Sequence, residues 1–276
     1  MKATVVEISG YVPAIMSLYM TGRNVDEERL SDIIETVDLC TNRRGFVNTA
    51  SHPDDYTNFS NYMSKVIKYG IIHEHETILD FIKISVFVEG MHRGAGDDFD
   101  AHAKRMDIIR SSTRANKKST QFPEISDYYK DKIRTIGMIM NEYAKVDMQN
   151  HPDAKSNAKT QNFLDSDGVV WKQTFWGWVR EDLENNPDVL RGVVPLSVEQ
   201  DSISTMSFRN WRHVYHLRRK GTHAAPELQD MVEQVRKELY EKCWWLGYYL
   251  GKIWTKDGYE EKNNIIIRRK TINDED

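Results

Sequence analysis

An arginine stands where an apolar side chain is expected. Over residues 205–220 the apolar positions Trp211, Val214 and Tyr215 recur at three- and four-residue spacing, which predicts one buried stripe of a helix. Arg218 is the next position on that stripe. A guanidinium is almost never buried without a counter-charge. Two arrangements satisfy it: the helix end frays and the side chain snorkels to water, or an anion inside the protein receives it.

The composition favours a local anion site over a general basic field. The formal net charge is −4, which argues against a nucleic-acid coat, while 39% apolar and 29% charged residues are ordinary for a globular chain. At 276 residues the prior is a single α/β (α+β) domain spanning 1–276, with inserted loops near 90–100 and 147–165. Cys40 and Cys243 are too few for a disulfide framework and lack zinc-site spacing, so a reducing, cytoplasmic setting is expected. The apolar segment 243–250 is far shorter than the about 20 residues a bilayer span needs, and no membrane association is expected.

Periodicity predicts a strand over 3–8, a helix over 26–39, a loop over 40–58 and a helix over 61–69 closed by Gly70. A strand is expected over 82–88, then a turn-rich loop through MHRGAGDDFD, where Asp97 and Asp98 read as turn residues. Helices are expected over 100–110, 128–146 and 174–185, with a polar insertion over 151–161. Pro226 opens a last long helix whose stripe is Leu228, Met231, Val232, Val235, Leu239 and Cys243, and 265–267 reads as a terminal strand.

Two basic clusters stand out. Residues 105–121 carry Arg105, Arg110, Arg114, Lys117 and Lys118 among hydroxyl and amide side chains, which suits a phosphate as well as a solvated loop. The polar face of the 205–220 helix offers Arg209, Arg212, His213 and His216. Together they point to an anionic small molecule. His73, Glu74 and His75 form a weak metal pattern with no second ligand pair, and no metal is assigned; a metal-dependent hydrolase using His73, His75 and Asp80 is a third class, behind an enzyme and a nonenzymatic nucleotide-binding or assembly protein. No nucleophile lies in an elbow or triad setting, so catalysis would come from a bound cofactor.

The order of motifs resembles that of the flavin-dependent thymidylate synthases over about residues 60–245. HETILDFIKISVFV, with His75 and Thr77, is similar to the family's His-x-Ser/Thr element leading into a strand. The run 109–121, with Asn116 and Ser119, stands where the family has Arg-His-Arg and downstream polar residues. Arg191 precedes Val193, Val194 and Pro195 as the family's arginine precedes an apolar pair and proline. TMSFRNWRHVYHLRRKGTHAAPEL resembles its flavin helix, ending in Leu217 and Arg218.

The resemblance implies a mostly antiparallel twisted sheet flanked by helices, a homotetramer, FAD, and a pyrimidine deoxynucleotide such as dUMP. Methylenetetrahydrofolate and NADPH would be co-substrates. It implies that His75, Thr77, Arg110, Asn116, Ser207, Arg209, His213, Leu217 and His223 hold the flavin. Arg105, Lys117, Lys118, Ser119, Gln121, Arg191 and Arg218 would hold the nucleotide, with Arg218 at the base edge as the catalytic group. The sequence departs from the family at Ile109-Arg110-Ser111 in place of Arg-His-Arg, at Lys117 for Glu, Gln121 for Arg, Ser207 for Asn and Ala225 for Gln. A thymidylate synthase, a relative acting on another pyrimidine nucleotide, and a binding protein on the same scaffold all remain open.

Overall fold

A computed structural model describes residues 1–20, 26–48, 53–73, 75–102, 107–110, 162–164, 168–173, 178–183, 198–251, 259–262 and 265–268. The chain divides into two compact units. One comprises Met1, 89–97 and 110–202; the larger comprises 2–88, 98–109 and 203–276.

The larger unit begins with strand β1 (Lys2–Ser9) and helix α1 (Tyr11–Met20), which buries Tyr11, Ala14 and Ile15. Between them Gly10 turns at φ +86°; a Cβ there would sit 2.0 Å from the Phe81 carbonyl oxygen, so only glycine fits. Helix α2 (Glu27–Cys40) is capped by Asp26, whose carboxylate accepts the Arg29 N–H at 2.8 Å. Helix α3 (Pro53–Ile67) buries Phe59, Met63, Val66 and Ile67 and runs into a π-helical turn, Lys68–Ile72. A 3-10 turn, Glu76–Asp80, then leads into strand β2 (Lys83–His92).

Two expectations fail in this stretch, each for its own reason. Residues 53–58, expected as loop, are helical, because Pro53 occupies a helix start, where its missing N–H costs nothing. Gly70 is no helix cap: it lies in the π turn where a Cβ would press 2.6 Å from Leu79 Cδ2.

The expected loop after Gly90 is helix α4 (Arg93–His102). Ala95 and Phe99, four residues apart, are both 1% exposed, and their burial outweighs the low helix propensity of Gly94 and Gly96. The helix expected over 100–110 ends at His102, and Asp107–Arg110 forms strand β3 with alternating exposure. In the smaller unit, β4 (Asn162–Leu164), β5 (Val170–Gln173) and β6 (Trp178–Arg180) make an antiparallel sheet. The helix expected over 174–185 is therefore replaced by β6 and a 3-10 turn, Glu181–Leu183.

Strand β7 (Glu199–Ser207) takes residues 205–207 from the expected helix, which is α5 (Phe208–Arg218). Helix α6 (Pro226–Lys242) starts at Pro226 and buries the expected stripe. Helix α7 (Trp244–Leu250) follows, and β8 (Tyr259–Lys262) pairs antiparallel with β9 (Ile265–Arg268), where a terminal strand was expected. The main sheet has the order β1-β2-β7-β3, and the fold is mixed α/β with an antiparallel sheet flanked by helices. Ser85 on β2 and Thr205 on β7 share a hydroxyl hydrogen bond of 2.8 Å.

Trp211 fixes α5 on the sheet. It is fully buried, its indole N–H donates to the Ile84 carbonyl at 3.3 Å, and the Phe99 ring of α4 lies 5.9 Å away. Phe59 meets Tyr11 and Trp245 edge-on at 5.5 and 5.7 Å, joining α3, α1 and α7. Each such ring contributes about 1.5–3 kcal/mol by burial. Among the described residues no helix is long and apolar enough to cross a membrane.

Candidate functional site

The site is organised at the two ends of α5. At its start Ser207 is the N-cap: its hydroxyl accepts the Asn210 N–H at 3.2 Å and donates to Asp80 Oδ1 at 2.9 Å. Arg209, two residues on, reaches the same carboxylate at 3.2 Å and Glu76 Oε2 at 2.8 Å. These bonds tie α5 to the 3-10 turn. His75 precedes that turn and Thr77 lies within it, and both side chains are exposed.

Four-residue spacing places Arg209, His213 and Leu217 on one side of α5. His213 is exposed and Leu217 is 41% exposed. His223 follows in the exposed bend beyond the helix. The buried side carries Trp211, Val214 and Tyr215, as its period requires.

Arg218 closes that buried side and is only 12% exposed. The helix does not fray to release it: an anion receives it, since its Nη2 donates to Asp98 Oδ1 at 2.9 Å. Asp98, expected as a turn residue, is a helical residue of α4 and 38% exposed.

Two further groups on α5 carry shifted ionisation. Arg212 donates to the Tyr249 carbonyl in the last turn of α7, where the helix dipole favours a cation, and burial lowers it to about 10. His216 is pushed down to about 4, chiefly by burial and further by Arg212, Arg219 and His213. Its Nδ1 is buried with no hydrogen-bond partner among the described residues.

In the smaller unit Arg110 donates to Asp97 Oδ1 at 2.7 Å and to the Gly96 carbonyl. A Cβ on Gly96 would lie 3.2 Å from the guanidinium carbon, so the glycine makes room for it. Arg105, Asn116, Lys117, Lys118, Ser119, Gln121 and Arg191 lie outside the described residues, as do the segments expected at 128–146 and 151–161. Asp80 is engaged by Ser207 and Arg209, and among the described residues no group of three or more His, Cys, Asp or Glu side chains is placed to hold a metal ion.

The model of the family described as thymidylate synthase complementing protein matches residues 25–243. The chain belongs to that family. It shares its fold with thymidylate synthase X from Helicobacter pylori, solved with FAD and dUMP. The TM-score is 0.51 at 12% identity, covering 92% of this chain and 100% of that one. A second structure, a flavin-dependent thymidylate synthase from Helicobacter pylori complexed with FAD and dUMP, gives 0.48 at 11% identity, over 87% and 96%. No curated protein sequence matches this family member significantly. The motif order over 60–245 thus marked the family correctly.

The residues that sequence reasoning missed are the acidic partners Glu76, Asp80 and Asp98. Asp80 and Asp98 find Ser207 and Arg218 at separations of 127 and 120 residues, beyond any local pattern. Arg212 was seen as part of a polar face, and its bond to α7 had no sequence signal.

Proposed function

We propose that this family member is a flavin-dependent enzyme that transfers a one-carbon unit from methylenetetrahydrofolate to C5 of a pyrimidine deoxynucleotide, dUMP or a relative. The observation that carries it is the exposed side of α5 with Arg209, His213 and Leu217, whose first member, Arg209, is bonded to Glu76 and Asp80 of the turn that contains Thr77 and follows His75. This donor set fits FAD: an exposed leucine and imidazoles suit the ring system, and a guanidinium suits the diphosphate. Arg209 already faces two carboxylates, but its pair with Glu76 is half exposed and costs little to open.

Bound FAD would supply the hydride, taken from NADPH, that reduces the transferred carbon as its bonds to the folate nitrogens break, its bond to C5 forms and the C5 proton leaves. His75, Thr77, Arg209, His213, Leu217 and His223 hold the flavin in this proposal. Ser207, buried and hydrogen-bonded on both sides, positions Arg209. Arg218 places a fixed positive group at the base edge, where negative charge develops. Ser119, Arg191, Lys117 and Lys118 supply the phosphate contacts. A homotetramer is part of the same proposal, as is a single functional domain.

The test is to incubate the purified chain with FAD, NADPH, methylenetetrahydrofolate and a panel of pyrimidine deoxynucleotides, then weigh the products. A mass gain of one carbon unit that disappears in Arg218→Ala is expected. A colourless protein that neither takes up FAD nor converts any nucleotide overturns the proposal in favour of the competing binding-protein class.

A further inference from the structure

We infer that His216 and Arg219, at the end of α5, form a binding site for a phosphate monoester, the 2′-phosphate of NADPH. The identity of the ligand rests on the proposed function; the site itself rests on the arrangement of basic groups. Arg212, His216 and Arg219 follow one another at four- and three-residue spacing, so they share one side of α5, next to the side that carries His213 and Leu217. All three are half-buried and His213 is exposed, so the site is a solvent-facing shelf. Arg212 is anchored through the Tyr249 carbonyl of α7, which fixes its charge behind the shelf. The Arg219 side chain has no hydrogen-bond or ion-pair partner among the described residues, and the buried Nδ1 of His216 has none either.

The groups acting on His216 are Arg212, Arg219 and His213, all of them basic. The acids nearby are directed elsewhere: Glu76 pairs with Arg209, and Glu233 of α6 accepts from the Tyr215 hydroxyl at 2.8 Å and from Arg236 at 3.1 Å. A helix dipole favours a cation at the last turn, but it explains neither the orphaned nitrogen nor an imidazole set among cations. Crowding like charges is unfavourable, and burial with that repulsion holds His216 neutral, at about 4. An anion seated among them turns the same charges into a favourable term. A phosphate monoester carries a charge of about −1.5 to −2 at pH 7 and three acceptor oxygens, enough for two guanidinium charges and an imidazole N–H. In the proposed reaction FAD carries a diphosphate and no monoester, and the nucleotide phosphate is given to Ser119, Arg191, Lys117 and Lys118. The 2′-phosphate of NADPH is the monoester left without contacts, and an arginine beside the ribose is a common way of receiving it.

Titration calorimetry on the full chain with FAD added measures NADP+ and NAD+, which differ only in the 2′-phosphate and do not reduce the flavin. Wild type is expected to bind NADP+ about tenfold or more tighter than NAD+, the worth of a charge-assisted bond. Inorganic phosphate should compete with NADP+ and not with NAD+, and Arg219→Ala should remove the preference without changing flavin uptake. The wild-type ratio and the phosphate competition need no variant, so poor folding of Arg219→Ala leaves the test intact. Equal wild-type affinities, or a preference that survives Arg219→Ala, overturn the inference, while one-carbon transfer supported by either reduced dinucleotide leaves the proposed function standing. If Arg219→Ala instead weakens dUMP but not deoxyuridine, the site takes the 5′-phosphate of the nucleotide and the assignment to NADPH falls. Loss of flavin uptake in the same variant would make the shelf part of the flavin site and overturn the inference too. Binding of neither dinucleotide overturns the inference, and the absence of any one-carbon product as well overturns the proposed function with it.

Discussion

Ser207 Oγ donates to Asp80 Oδ1 at 2.9 Å while accepting the Asn210 N–H at 3.2 Å, so one buried hydroxyl starts α5 and ties it to the turn carrying His75 and Thr77. A cap alone contributes about 1 kcal/mol, and a hydrogen bond to a carboxylate about 1.5–3 kcal/mol. Ser207→Ala removes both. Urea unfolding is expected to show a loss of about 2.5–4 kcal/mol, and a loss within error of zero rules out this shared role.

Arg209 and Glu76 separate stability from binding. Their pair is 40% and 54% exposed, so Glu76→Gln is expected to change stability by less than about 1 kcal/mol. The same substitution releases Arg209 and removes a negative charge near the proposed diphosphate, so FAD affinity should rise. Arg209→Ala should lower that affinity by about tenfold or more, the worth of one charge-assisted bond. Quenching of flavin fluorescence measures both, and equal affinities in wild type and Arg209→Ala would remove Arg209 from the flavin site.

His216 makes stability depend on pH in one window. Its pKa falls from 6.5 in the unfolded chain to about 4 in the fold, because burial disfavours the imidazolium and Arg212, Arg219 and His213 repel it. Between these values the unfolded chain binds a proton that the folded chain does not. The contribution is therefore complete above pH 6.5 and is lost progressively as pH falls toward 4. Unfolding curves at several pH values should show the wild type losing stability relative to His216→Gln over this window. Parallel curves would mean that His216 titrates normally.

Legibility followed the range of the interactions. The stripe of α6 and the Trp211, Val214 and Tyr215 face of α5 were readable because helical period is local, and Pro226 was rightly taken as a helix start. Pro53 sends the same signal at α3, yet the segment 40–58 around it carries no sustained apolar period, which reads as loop. Helix α4 was hidden by Gly94 and Gly96, since only tertiary burial of Ala95 and Phe99 makes a helix there. The Arg218 anomaly was visible in sequence, but its answer was not, because Asp98 sits 120 residues away.

Gly247 tests how tightly the helices behind the site are packed. It lies in α7 where the chain doubles back on α6 after Cys243, and a Cβ there would fall 2.2 Å from the Tyr240 nitrogen and 2.3 Å from its Cα. Helix propensity alone favours Gly247→Ala by about 1 kcal/mol. The clash is with backbone, which moves only if α6 and α7 separate, and overpacking of that kind costs about 1–3 kcal/mol or more. Steric cost is expected to win, so Gly247→Ala should lower the melting temperature. Because Arg212 of α5 donates to the Tyr249 carbonyl of α7, the displacement should reach α5 and weaken FAD binding as well. A variant that melts higher than wild type would show that propensity wins and that the two helices have room to spare.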